Sequence, residues 1–542
     1  MSVTAHPQRS FVRFLAEAAA SLTRIEGWRR YGVAFGFGVL TATALAPYYA
    51  LPALGVGLSG LVLLLDSTGS ARRPRWAAFA TGWAFGFGYF LFGMYWLAFA
   101  FLVQADQFAW MIPIAVPAFT GFLGLFFGAA CLATTLLWRK GPARVFTFAA
   151  CFALFEYARG TVLTGLPWNL VGQSFAGTAL LAQPAAWVGP YGLSLLVVLL
   201  AVAPAAAFQR QDRSWIRGPL LWGRGGLAAL LAFGAIRLEV PTSAASVPPT
   251  EWRPWLVVAQ PNIPQRDKFD AGKMVPNFER LVKITTDAIP EGERALAVWP
   301  ENAFPFLAQD PGAPGFFGTA LPATTSLLTG TYRSYQEDGT LRHGNSAVFF
   351  GPTNEEGEKP IAGLYDKHHL VPFGEYLPFE GLLKAVGLSQ LAPVGDGFTP
   401  GPGPQTYNVG GIRFAPLICY EDVFPLALYP KDDRPDLLVV VTNDAWFGDN
   451  AGPKQHLDIS RLRVIESGLP MARSANTGIS GVFDAKGRLL RSIPLYEEGV
   501  VTTPLPQPVA RPFYDRVGSF SFALLLLLVA SFPSLSGLAR KG

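Results

Sequence analysis

Three residue types in this chain form a set able to carry acyl transfer. Cys419 lies in Leu417-Ile418-Cys419-Tyr420-Glu421, outside the apolar segments that hold Cys131 and Cys151. Glu301 sits in Trp299-Pro300-Glu301-Asn302 and Lys367 in Tyr365-Asp366-Lys367-His368-His369-Leu370, each after an apolar run of strand length. Thiol, carboxylate and ammonium supply a nucleophile, a proton acceptor and a charge stabiliser. A free thiol has a pKa of about 8.5, so near neutrality it needs help to attack. Glu301 can take the proton where burial raises its own pKa, then return it to a leaving group. Lys367, held as a cation, favours the thiolate and donates to a tetrahedral oxyanion together with a backbone N–H near Tyr420. The run Glu421-Asp422-Val423-Phe424-Pro425 reads as the first turn of a helix, whose positive end would lower the thiol pKa further.

Other chemistries lack their residues. His343, His368, His369 and His456 show no metal-ligand spacing with Cys419, so no metal is expected. No Gly-x-Ser-x-Gly elbow precedes a helix. Gly401-Pro402-Gly403-Pro404 has no following lysine and helix, and reads as a surface turn, not a phosphate cradle.

The segments around these residues alternate between strand and helix. Apolar runs at Trp255–Gln260, Ala295–Trp299, Ser326–Tyr332, Ser346–Phe350, Ile412–Ile418 and Leu437–Thr442 predict strands. Ile479–Phe483 opens a hairpin that turns at Asp484-Ala485-Lys486-Gly487. Helical spacing covers Val275–Ala288 and Lys454–Ser467, the second stopping at Gly468 before Pro470. This pattern predicts an α/β layered domain with its reactive groups at strand ends.

Composition sets that domain inside a different environment. The 542-residue chain is only 15% charged, and its mean hydropathy of +0.30 is too high for a purely soluble enzyme. Apolar blocks fall at Gly32–Ala46, Ala50–Leu65, Ala77–Leu102, Ala109–Trp138, Val145–Tyr157, Leu193–Phe208, Gly225–Leu238 and Phe520–Leu538. Several are shorter than the roughly 20 residues of a perpendicular span. The expected division is an N-terminal membrane domain at 1–240 with about seven spans, a catalytic domain at 241–511, and a final span within 512–542. Ahead of the first block, Arg9, Arg13, Arg24, Arg29 and Arg30 precede no small-residue cleavage site, so no cleavable signal is read.

Basic residues alternate between loops. Arg72, Arg73 and Arg75, then Arg139, Lys140 and Arg144, then Arg210, Arg213, Arg217 and Arg224 mark one side, as do Arg540 and Lys541. The intervening loops 47–49, 103–108 and 160–190 are almost free of Lys and Arg. This places both termini in the cytoplasm and the large domain opposite. The net charge of +5 is thereby anchoring charge and calls for no nucleic acid. Ionisable residues are scarce inside the blocks, which argues against a transporter. Glu156 and Arg159 are three apart and can pair. The glycines and aromatics of 83–96 read as close helix packing with an interfacial belt.

WPEN, LVPFGEYLP (Leu370–Pro378), ICYED and TNDAWFGD (Thr442–Asp449) together resemble the carbon–nitrogen hydrolase, or nitrilase, superfamily. In this membrane frame, with Gly452–Gly478 downstream, the chain more closely resembles the membrane-bound branch, the apolipoprotein N-acyltransferases. The resemblance implies an αββα sandwich inserted in a polytopic helical membrane domain of about eight spans. It implies a multi-pass protein of the bacterial inner membrane, a periplasmic catalytic domain, and a triad carried by Glu301, Lys367 and Cys419. Glu375, Tyr420 and Glu421 take supporting roles; Glu375 is placed to hold Lys367, although it and Glu421 also read as surface ion pairs. The implied donor is a phospholipid, typically phosphatidylethanolamine. The implied acceptor is the α-amine of a diacylglyceryl-cysteine on an apolipoprotein, and no cofactor is needed.

Trp446 and Phe447 beside Gly448 read either as a mobile apolar loop over the site, serving the substrate, or as a buried aromatic pair. The loop Asn262–Phe269 departs from the family pattern, which commonly ends in Trp where this chain has Phe269. Two other functions fit parts of the sequence: a membrane-tethered amidase or nitrilase-type hydrolase using water in the second step, and a lipoprotein-docking pseudoenzyme, which the intact triad opposes.

Overall fold

The computed structural model describes residues 16–138, 141, 143–207, 214–240, 253–268, 270–378 and 397–538. Phe269, Arg9, Arg13, Arg139, Lys140, Arg210, Arg213, Arg540 and Lys541 lie outside the described residues. The chain divides into two compact units, 1–240 with 516–542, and 241–515.

The first unit is helical. Its longer helices are Gly27–Ala42, Pro52–Asp66, Pro74–Gly93, Ile112–Leu136, Ala143–Thr161, Ala185–Ala201, Ser214–Glu239 and Phe520–Leu538. Among the described residues two stretches, Pro52–Ser70 and Ala105–Leu136, are long and apolar enough to cross a membrane. Pro52, Pro74 and Pro113 stand in first turns, where a missing N–H costs no hydrogen bond. The expected block Ala77–Leu102 is not one helix. The backbone leaves helical geometry at Met94 and a separate helix runs Leu97–Leu102. Hydropathy stays high across that break and carries no signal for it. The block expected at Leu193–Phe208 likewise splits into Ala185–Ala201 and Ala203–Ala207. Glycines in 82–93 serve packing: a Cβ on Gly86 would stand 2.9 Å from Gly124 Cα. Phe85, Tyr89 and Phe90 pack on Phe127, with centroids 5.1–6.1 Å apart.

The second unit holds two six-stranded sheets. The strands are β1 (Trp255–Gln260), β2 (Ala295–Val298), β3 (Thr325–Glu337), β4 (Thr340–Phe350), β5 (Ile361–Asp366), β6 (Tyr407–Val409), β7 (Ile412–Ile418), β8 (Leu437–Thr442), β9 (Met471–Ala475), β10 (Ser480–Phe483), β11 (Leu489–Ile493) and β12 (Gly499–Pro504). One sheet has the order β12-β1-β2-β3-β4-β5 and the other β11-β10-β9-β8-β7-β6. β1, β2 and β3 run parallel, as do β7, β8 and β9.

Alternation along the strands feeds three apolar layers. Leu256, Val258, Leu296 and Val298 meet Phe414, Ile418, Val439 and Val441 between the sheets. Val257, Ala259 and Ala297 face outward onto Phe278 and Leu281 of helix Ala271–Ala288 and Phe317 of helix Ala313–Ala320. Val440 and Leu438 pack on Val464 of helix Ala451–Ser467. Strands buried on both faces read as continuous apolar runs, which is why these were visible in the sequence. The layer order is helix, sheet, sheet, helix. Both expected helices begin earlier than their apolar spacing, at side-chain caps: Asp270 accepts from Gly272 N (2.8 Å) and Asn450 from Gly452 N (2.9 Å).

Candidate active site

Strand ends deliver the expected residues. Glu301 follows β2, Lys367 follows β5 directly, and Cys419 follows β7 directly. Cys419 has φ +52°, a conformation disfavoured for a side chain bearing Cβ, so the chain turns sharply at the thiol. The helix expected after it is instead a five-residue 3₁₀ turn, Cys419–Val423. Glu421 and Asp422 are buried and turned to partners within the domain, so they do not seed a longer helix. A turn that short supplies no helix dipole of the size expected.

Lys367 Nζ donates to Glu375 Oε1 at 2.8 Å, both groups buried or nearly so. Asn345 Nδ2 donates to the same Glu375 oxygen at 2.8 Å and to Glu301 Oε1 at 2.7 Å, tying the two carboxylates together. Glu375 Oε2 accepts from Val371 N at 2.8 Å, and Lys367 N from β5's end bonds Asn345 O at 2.8 Å. Glu375 is therefore the fixed partner of the lysine, not a surface pair.

Burial raises the Glu301 pKa above the usual carboxylate range; Lys367 opposes that and Glu375 adds to it. Burial alone would lower Lys367, but Glu375, Cys419 and Glu301 outweigh it and hold the ammonium charged. The Cys419 thiol is pushed well up, first by burial and then by Glu301, against the smaller pull of Lys367 and a hydrogen bond with Thr442. Proton affinity is raised at both the thiol and the Glu301 carboxylate, which suits proton transfer between them during attack.

Glu421 pins the turn that carries Cys419. It accepts from Ile418 N at 2.7 Å, His368 N at 2.8 Å and Tyr365 Oη at 2.9 Å, and lies 2.6 Å from His368 Nδ1. Burial works against its charge, yet His368 and the Ile418 N–H hold its pKa below the ordinary value. The surface-pair reading fails here as well. Tyr420 is half-buried and belongs to an aromatic group with Phe424 and His369, whose rings stack at 3.6 Å.

A profile described as the apolipoprotein N-acyltransferase N-terminal domain matches residues 37–203, and one described as carbon–nitrogen hydrolase matches 258–514. The chain is 36% identical over 527 residues to the apolipoprotein N-acyltransferase of Rhodopseudomonas palustris, covering 95% of this chain and 96% of that protein. The chain belongs to the apolipoprotein N-acyltransferase family. A second member, from Caulobacter vibrioides, is 38% identical over 92% of this chain and 93% of its own. Among solved structures, a CN-hydrolase superfamily protein of Xanthomonas campestris covers 53% of this chain and 97% of its own at 17% identity, with a TM-score of 0.34.

Two groups of this family member escaped the sequence reading. Asn345 sits in an unremarkable His-Gly-Asn-Ser stretch midway along β4, and only the sheet register places it between the carboxylates. Lys268 lies in the loop quoted for its departure at Phe269; its Nζ donates to the Glu301 carbonyl at 2.8 Å. Burial lowers Lys268 to about 8, while Glu301 and Cys419 pull the other way. A lysine one residue from the loop's aromatic position was the available signal.

The Asp444–Phe447 segment is a 3₁₀ turn after β8. Trp446 is 42% exposed while Phe447 is half-buried with its ring 6.2 Å from His456, so the two are not a buried pair.

Proposed function

We propose that this chain acylates the N-terminal α-amine of diacylglyceryl-cysteine on apolipoproteins in two half-reactions at Cys419. The observation that carries this reading is the Glu301–Asn345–Glu375–Lys367 cluster assembled beside the Cys419 thiol within an acyltransferase family chain.

In the first half-reaction the thiol attacks an ester carbonyl of a phospholipid, typically phosphatidylethanolamine, as its proton passes to Glu301. The tetrahedral oxyanion draws on Lys367. Collapse breaks the ester C–O bond, Glu301 protonates the departing lysophospholipid, and a thioester remains. In the second, the lipoprotein amine attacks the thioester and gives its proton to Glu301. The C–S bond then breaks, and the thiolate recovers that proton. Glu375 fixes Lys367, Glu421 fixes the turn that carries the thiol, and Tyr420 braces that turn through its ring contacts with Phe424 and His369. Trp446 and Phe447 serve the bulky acceptor.

Both substrates reside in a bilayer. The helical unit is read as a membrane domain at 1–240 plus a span within 512–542, about eight spans in all, with the catalytic domain at 241–511 on the periplasmic face of the inner membrane. The alternation of basic loops supports that orientation. Full-length enzyme in detergent, given phosphatidylethanolamine and a synthetic diacylglyceryl lipopeptide, should yield N-acylated peptide and lysophospholipid in equal amounts. Release of free fatty acid with unmodified peptide would instead establish a hydrolase.

A further inference from the structure

Past Glu301 the chain keeps running beside β3 and leaves an apolar groove to which the two half-reactions give no role. Gly330 N donates to Pro300 O at 3.2 Å, Phe304 N to Gly330 O at 3.1 Å and Ala308 N to Tyr332 O at 2.9 Å. Gln309 Nε2 then reaches Ser334 O. Residues 300–309 therefore track β3 from Gly330 to Ser334, a run of about 13 Å at the usual rise of a strand. Phe306, Leu307, Pro311 and Tyr332 line a cavity of about 440 Å³ along that track, with Gln309 and Asp310 also on its wall. Clefts of about 300–1,000 Å³ are of ligand-binding size. Phe306 is 40% exposed and Leu307 44%, so the groove keeps apolar surface uncovered.

One end of the groove is the active site. Tyr332 is a groove wall, and its register partner across β3 and β4 is Asn345, the amide that joins Glu301 to Glu375. The Tyr332 hydroxyl accepts from Asn302 Nδ2 at 3.0 Å, one residue past Glu301, and its ring stacks on Phe398 with centroids 5.7 Å apart. The other end is polar. Gln309 is tied to Ser334 O, and Asp310 Oδ1 accepts from Gly312 N at 2.8 Å.

We propose that this groove holds the acyl chain that passes through Cys419, and that Leu307 and Gln309 set the chain length it accepts. The occupant is the transferred chain because the groove opens beside Glu301, where the carbonyl under attack must lie. The alkyl chain extends directly from that carbonyl. The acceptor's own two chains hang from glycerol, several bonds away from the attacking amine. Apolar side chains suit methylenes and give a head group nothing to bond. At the far end, methylenes pressed against Gln309 and Asp310 would strip water from polar groups with no hydrogen bond in return, so the chain stops there.

The inference rests on acyl transfer through Cys419, and one experiment separates the two. Full-length enzyme in detergent is given an equimolar mixture of dilauroyl, dipalmitoyl and diarachidoyl phosphatidylethanolamine, and each acyl-Cys419 peptide is quantified by mass spectrometry. Leu307→Trp fills the groove and should lower the ratio of palmitoyl to lauroyl adduct by about fivefold or more, the penalty of overpacking. Gln309→Leu removes the polar stop and should raise the share of arachidoyl adduct. Such ratios do not respond to a general loss of activity or of folded protein. The Leu307→Trp ratio decides, and where that variant does not accumulate the Gln309→Leu share decides. An unchanged value in the deciding variant overturns the inference. So does a variant with parental adduct ratios whose discharge has become sensitive to the chain length of the lipopeptide, which would give the groove to the acceptor. Absence of any acyl-Cys419 in the parent enzyme would refute the underlying transfer reaction instead.

Discussion

Replacing Asn345 with alanine isolates the link between the two carboxylates. Its Nδ2 bonds Glu301 Oε1 at 2.7 Å and Glu375 Oε1 at 2.8 Å, and all three groups are buried or nearly so. Hydrogen bonds to charged groups contribute about 1.5–3 kcal/mol each. Loss of the Glu301 bond alone corresponds to a fall of roughly 10- to 150-fold in a step that depends on its charge. The sign follows from the proton affinity. Burial already raises Glu301, and the Asn345 bond is one of the influences holding it down. Without that bond the carboxylate is protonated over a wider pH range. Activity in Asn345→Ala should therefore fall most on the acid side and recover partly as pH rises. Asn345→Asp, which adds a third acid, should be worse at every pH. The assay is the pre-steady-state rate of acyl-Cys419 formation from phosphatidylethanolamine between pH 5.5 and 9, with thermal unfolding measured alongside. A rate within about twofold of the parent, or a uniform loss with no change in the acid limb, would refute the argument.

Other expectations follow from single observations. Lys268 titrates at about 8, so if its charge supports the site, adduct formation should decline above that pH, and Lys268→Arg should extend the plateau to higher pH. An alkaline limb identical in Lys268→Arg would count against a role for that charge. A Cβ on Gly330 would stand 2.6 Å from Glu301 Cα and Asn302 N, so Gly330→Ala should displace the glutamate. Such displacement should cost about 100-fold in turnover, since about 1 Å of misplacement carries that penalty; undiminished turnover would contradict the packing. Asp444 is held at about 2 chiefly by Arg473 against the opposing effect of burial, so its stabilisation is present above the usual aspartate range near pH 4. It should be lost as pH falls toward 2, worth about 2 kcal/mol, and Asp444→Asn should flatten that part of the stability curve. The Cys131/Cys151 double alanine variant should keep acyl transfer that Cys419→Ser loses; the reverse pattern would remove the triad.

The strands buried on both faces were legible because each is a continuous apolar run, and β1, β7 and β8 match their expected limits residue for residue. β9 was invisible: Met471-Ala472-Arg473-Ser474-Ala475 carries a buried arginine whose charge is matched by Asp422 and Asp444, partners that lie elsewhere in the chain. β5, β6 and β12 pair at or near sheet edges, with exposed or polar residues that blur their alternation. Glu301, Lys367 and Cys419 could be read from residue type and motif. Asn345 and His456 could not, because an amide between two acids and an imidazole between two aspartates are defined by sheet register and helix packing. The expected nucleophile helix failed for a related reason. Acidic residues after Cys419 look like a helix start, yet both fold inward to pin the turn.

The central claim is a covalent acyl group on Cys419, and mass spectrometry of the full-length enzyme after incubation with phosphatidylethanolamine of defined chains tests it directly. A mass increase of one acyl chain on the Cys419 peptide is predicted, absent in Glu301→Gln and Lys367→Ala, and discharged when diacylglyceryl lipopeptide is added. Acylated lipopeptide formed with no acyl-Cys419 detectable at any time, or an adduct of normal yield in Glu301→Gln, would contradict the account.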